Sequence, residues 1–175
     1  MKKSAAIFCA SAAIFGAAPA YADVEPTDSR AVIIRPLSFI NYEDLNFGKI
    51  IPATTAGTVT VATNGTRSTN NANIILVGAD HQAASFTGQG TFNQRVDISL
   101  GANTIQITGP GAPMTVQTFT IGSTPSVVLT TTPLRFRIAS ASGIFIFTVG
   151  ARLNVGANQA PGKYSGTWNI TLDYQ

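Results

Sequence analysis

Trp168-Asn169-Ile170-Thr171-Leu172-Asp173-Tyr174 is the stretch that decides the fold. Apolar or aromatic residues alternate with polar ones, so an extended chain sends Trp168, Ile170, Leu172 and Tyr174 to one face. A helix would scatter them around its circumference. The same period of two recurs upstream. Thr58-Val59-Thr60-Val61 alternates hydroxyl and branched side chains, and Val96, Ile98 and Leu100 alternate with Asp97 and Ser99. Ile105 and Ile107 flank Gln106, while Leu134, Phe136 and Ile138 oppose Arg135 and Arg137. No segment carries helical periodicity.

Ile74-Ile75-Leu76-Val77 and Ile144-Phe145-Ile146-Phe147 are apolar throughout, which predicts central strands covered on both faces. Turn chemistry separates the strands at Asn64-Gly65, Gly109-Pro110-Gly111, Ser142-Gly143 and Pro161-Gly162. Asn64-Gly65 and Ser142-Gly143 are the expected hairpins. Residues 63–73 form a polar loop on this reading. Short strands with closely spaced turns predict an all-β, immunoglobulin-like antiparallel sandwich of seven to ten strands. An outer-membrane barrel would usually end in an aromatic residue, whereas Gln175 ends this chain.

The N-terminus predicts export. Lys2 and Lys3 precede an apolar run at residues 5–18, and Ala20-Tyr21-Ala22 supplies small residues at a cleavage site. These are the parts of a Sec signal peptide, with residues 1–22 removed and 23–175 left as one domain. The run is shorter than the ~20 residues a membrane span needs, so no membrane insertion is expected. Cys9 is the only cysteine, and its context is not that of a lipoprotein signal. The mature chain would hold no disulfide and depend on its own core. Its net charge would fall from +3 to +1, because Lys2 and Lys3 supply two of the eleven cations. That leaves no electrostatic basis for binding nucleic acid or an anionic membrane. Charged residues are 11% of the chain, against about 25% in ordinary soluble domains. Such a surface suits packed extracellular assemblies and leaves few charges to guard sheet edges.

Residues that could carry catalysis are scarce. His81 is the only histidine, and its neighbour Asp80 points away from it on an extended chain, so a triad is not expected. A metal site would need a second histidine, a cysteine or calcium-loop carboxylates. Glu43-Asp44 reads as a solvated turn, and Gly109-Pro110-Gly111 lacks the Lys-Ser/Thr of a phosphate loop. Arg135 and Arg137 read as a solvated face, and Phe145 and Phe147 as inter-sheet residues. No enzyme activity and no cofactor are expected.

Two resemblances follow from these residues. Gly162, fourteenth from the end, precedes the alternating strand with Tyr174 next to last, and this ending resembles that of chaperone–usher fimbrial subunits. The chain also resembles a secreted bacterial family, domain-of-unknown-function family 4402. The matching pieces are Leu45-x-Phe47-Gly48, Gly57-Thr58-Val59-Thr60-Val61, Met114-x-Val116-x-x-Phe119, Val149-Gly150-Ala151-x-Leu153-x-Val155 and Gly162-x-Tyr164-x-Gly166. The fimbrial resemblance implies a sandwich missing one strand. It also implies a periplasmic chaperone, an outer-membrane usher and further copies as partners. Gly162, Trp168, Ile170, Leu172 and Tyr174 would then pair with a lent strand. The candidate donor is residues 30–40, with Ile33, Leu37 and Phe39 on one face. The expected function is a structural subunit of a surface fibre, the alternative a self-contained monomeric binding or adhesion module at the surface or in the periplasm.

Overall fold

The computed structural model describes residues 30–122 and 125–175. The expected signal peptide at 1–22 and the mature start at 23–29 lie outside them. The chain divides into two units, Met1–Val32 and Ile33–Gln175. In the first, Arg30, Ala31 and Val32 are described; they are exposed and outside any strand. All of the described strands belong to the second.

These strands are β1 (Ser38–Glu43), β2 (Lys49–Ile51), β3 (Gly57–Val61), β4 (Arg67–Thr69), β5 (Ile75–Val77), β6 (Ala84–Gln89) and β7 (Arg95–Leu100). They continue as β8 (Thr104–Ile107), β9 (Met114–Ile121), β10 (Val127–Val128), β11 (Leu134–Arg137), β12 (Ile144–Val155) and β13 (Ile170–Tyr174). No helix occurs among the described residues, and every ladder is antiparallel. The large sheet runs β1-β6-β12-β3-β4, with β9 on β12 and both β8 and β10 on β9. A three-stranded sheet, β11-β7-β13, and a β2-β5 pair complete the set.

The alternation read from the sequence gives the sandwich its core. Val59, Val116, Phe119, Val149 and Leu153 of the large sheet meet Val96, Ile98, Leu100 and Leu172 of the small one, all buried. The domain is an all-β antiparallel sandwich, as expected. β12 organises the large sheet. Its first half pairs with β6 and its second with β3, while Val149 to Leu153 also pair with β9. The β9–β12 register shifts, Gly150 facing Thr120 and Arg152 facing Gln117. Thr118, at φ 52°, is the extra residue of this bulge, and its Oγ1 accepts from Arg152 Nη2 at 2.8 Å.

Several local expectations are corrected. Among the described residues thirteen strands stand where seven to ten were expected, because bulges and turns cut the ladders into pieces as short as β10. The polar stretch 63–73 contains β4, which pairs with β3 around Asn64-Gly65, an expected hairpin that does form. Ser142-Gly143 is no hairpin, since it joins β11 and β12 of different sheets. Neither fully apolar stretch is covered on both faces: Ile75 and Ile146 are 55% and 69% exposed. Both strands bury alternate residues only.

Candidate functional site

The large sheet and the C-terminal segment do not close on each other completely. Between them lies an open groove of about 1220 Å³. Its floor is the inner face of the large sheet: Ala84 and Phe86 of β6, Ile105 and Ile107 of β8, Met114 and Val116 of β9, and Leu153 and Val155 of β12. Most of these side chains are buried in the core, and Ile105 and Ile107 are partly buried against it.

Each rim of the groove is backbone paired on one side only. The first rim is residues 41–52. Here β1 pairs with β6, Asn46 bridges Gln82, and β2 pairs with β5; no second ladder forms among the described residues. The second rim is residues 159–168 with Ile170. It bridges to Thr108 through Ser165, and Gly101 N donates to Asn169 O at 2.9 Å. From Ile170 onward the chain becomes β13, which pairs with β7 alone.

Local chemistry holds the second rim in place. Tyr164 Oη donates to Ala160 O at 2.9 Å and accepts from Gly111 N at 3.0 Å and Gln159 Nε2 at 2.8 Å. Gly162 has φ 145°, and a Cβ there would come within 2.5 Å of Pro110 Cγ. Glycine is required on both counts. Trp168 packs its ring at 5.7 Å from Phe86 and 5.1 Å from Phe119, anchoring the rim to the floor.

The sequence-selected residues divide between two places. Gly162, Trp168 and Ile170 line the groove. Leu172 is buried in the core at 8% exposure, and Tyr174 lies beyond the groove, in a clasp. Its hydroxyl accepts from Thr91 N at 2.7 Å and donates to Arg35 O at 2.9 Å, while Arg35 N donates to Thr91 Oγ1 at 2.6 Å. The candidate donor residues divide at the same clasp. Ile33 is 96% exposed, but Leu37 and Phe39 pack on the core of their own domain, Phe39 within β1 and 6.2 Å from the Phe86 ring. The first rim and the floor were met in the sequence only as pieces of the family resemblance, such as Leu45-x-Phe47-Gly48 and Met114-x-Val116, and not as a site. Ile105 and Ile107 were visible as a face, but alternation does not reveal that a face lines a groove.

The other polar groups are held in structural contacts. Asp80 pairs with Lys49 at 3.1 Å, and the buried Nδ1 of His81 has no hydrogen-bond partner. Arg67 donates to the carbonyls of Phe47, Lys49, Val77 and Gly78, tying β2 to β5. Arg135 lies exposed on β11 and forms two hydrogen bonds with Asp97, which raise its pKa above the ordinary value. Among the described residues no group of His, Cys, Asp and Glu is placed to hold a metal. No helix among them is long and apolar enough to cross a membrane.

Residues 37–174 match the family described as Domain of unknown function (DUF4402), and the chain belongs to that family. Comparison with curated proteins and with solved structures returns no match.

Proposed function

We propose that this chain is a secreted, non-catalytic structural subunit of a fimbria-like surface fibre that assembles by β-strand addition. The observation that carries this reading is the groove: an apolar floor between two rims, each backbone paired on one side only. A strand laid between them gains backbone hydrogen bonds from the rims, and alternate side chains enter the floor. The sandwich is then immunoglobulin-like with one strand left out. The partners are a periplasmic chaperone that lends the strand, an outer-membrane usher, and neighbouring copies that replace the loan. Such head-to-tail donation is a heterologous contact and propagates into filaments. An unfilled groove of this kind is an aggregation hazard, which explains the need for a lent strand.

Within the candidate donor at residues 30–40, the exposed apolar run Val32-Ile33-Ile34 is the part that would enter a neighbour's groove. The clasp at Arg35 favours the second reading, a self-contained surface module, because it commits residues 35–43 to their own domain. Export of the full chain to a periplasm distinguishes the two. The fibre reading expects dependence on a co-expressed chaperone, or ladders that resist SDS and collapse on heating. A soluble monomer with the amides of residues 30–34 protected from exchange would contradict it.

A further inference from the structure

A second open edge lies on β12, away from the groove. Residues 144–148 pair with β6 on one side, and among the described residues no ladder meets them on the other until Val149 reaches Ile121 of β9. The direction of the backbone follows from the neighbouring bond, in which Gly143 O accepts from Gly90 N of the β6 end at 3.0 Å. Polar groups alternate sides along an antiparallel strand, so residues of odd number turn to β6. Ile146 and Thr148 therefore turn their N–H and C=O groups to the open edge, as Ile144 does its C=O, while Ile144 N donates to Ser142 Oγ at 3.4 Å.

Edges of this kind are usually guarded by charge, proline or a covering loop. Ile144-Phe145-Ile146-Phe147-Thr148 contains no charge and no proline. Two of its three outward side chains are apolar, Ile144 being 49% and Ile146 69% exposed. The row continues across the sheet, since Ile146 and Ile40 both pair with Thr87, and Ile40 is 65% exposed. The segment is also self-complementary. Turned about a two-fold axis at Ile146, it sets Ile146 against Ile146, Ile144 against Thr148 and Phe145 against Phe147. All three outward residues then meet outward residues, giving about four backbone hydrogen bonds with Ile144 N left on Ser142 Oγ.

The geometry points to a second copy of this chain as the occupant of this edge: two subunits join β12 to β12, antiparallel, into one continuous sheet across an isologous contact. This contact uses neither the groove nor the N-terminal run, so it stands independently of the fibre reading. Its area belongs to the small class of interface, below about 1,200 Å² in total, so the dimer is weak and concentration-dependent.

Sedimentation of the exported full chain tests it. Wild type should shift from monomer toward dimer over about 10 μM to 1 mM, the range of weak interfaces. Ile146→Lys and Ile144→Lys should each weaken association at least tenfold while keeping the wild-type melting temperature, because both side chains are exposed. Thr60→Lys, on the outer face of β3, should leave association unchanged. Ile33→Asp, which removes the proposed donor run, should also leave it unchanged, so a failed fibre reading and a failed edge contact give different patterns. A wild-type monomer throughout that range, or dimers that persist in both lysine variants, would overturn the proposal.

Discussion

The two ends of the domain were read from similar patterns, yet they are held differently. β13 is anchored along its whole length. Each residue from Ile170 to Tyr174 faces one of β7, and Leu172 reaches the core. Its other edge, and the rim leading into it, stay open. In the N-terminal stretch Leu37 and Phe39 pack inward, while Val32 and Ile33 are 82% and 96% exposed. One end thus offers an edge to be filled, and the other offers apolar residues with nothing to fill in their own fold. The division falls at a clasp of three hydrogen bonds rather than at any change in hydrophobic pattern.

Leu172→Ala should have the largest effect, costing about 2–5 kcal/mol in urea unfolding, as for other buried leucines. A loss below 1 kcal/mol would mean that β13 is not part of the core. Phe39→Ala should follow at about 1–3 kcal/mol, reduced from a fully buried phenylalanine because the ring is half-buried. If it costs nothing, β1 is free to leave and the whole of residues 30–40 becomes available as a donor. Tyr174→Phe removes both hydroxyl bonds of the clasp and should cost about 1–2 kcal/mol. Amide exchange at Thr91 should rise in that variant. Ile33→Asp should change stability by less than about 0.5 kcal/mol, as exposed positions do, while abolishing assembly.

The period of two was enough to establish the fold class and to select Leu172 and Val96 for the core. It also led to Trp168, which lines the groove; Gly162, beside it there, was singled out by the fimbrial resemblance. It failed at Ile146 and Ile75, because a continuous apolar run does not reveal how many faces are covered. Alternation reports which side chains share a face but says nothing of which edge has a neighbour. Strand pairing is decided by residues far away in the chain, as when Ala84 and Ile121 flank Val149. The groove was therefore invisible: its floor reads like any other sandwich interior, and its rims are placed by pairings far away in the chain. Phe39 was ambiguous for the same reason, since a donor strand and a first strand share one pattern.

Disulfide trapping between two differently tagged copies tests strand addition most directly. Both copies carry Cys9→Ser; one adds Ile33→Cys on the exposed run and the other Thr167→Cys on the groove rim. The account predicts a mixed disulfide between copies that forms during export and exceeds either homodimer. Absence of that product would contradict it, all the more if a single chain carrying both cysteines closes on itself.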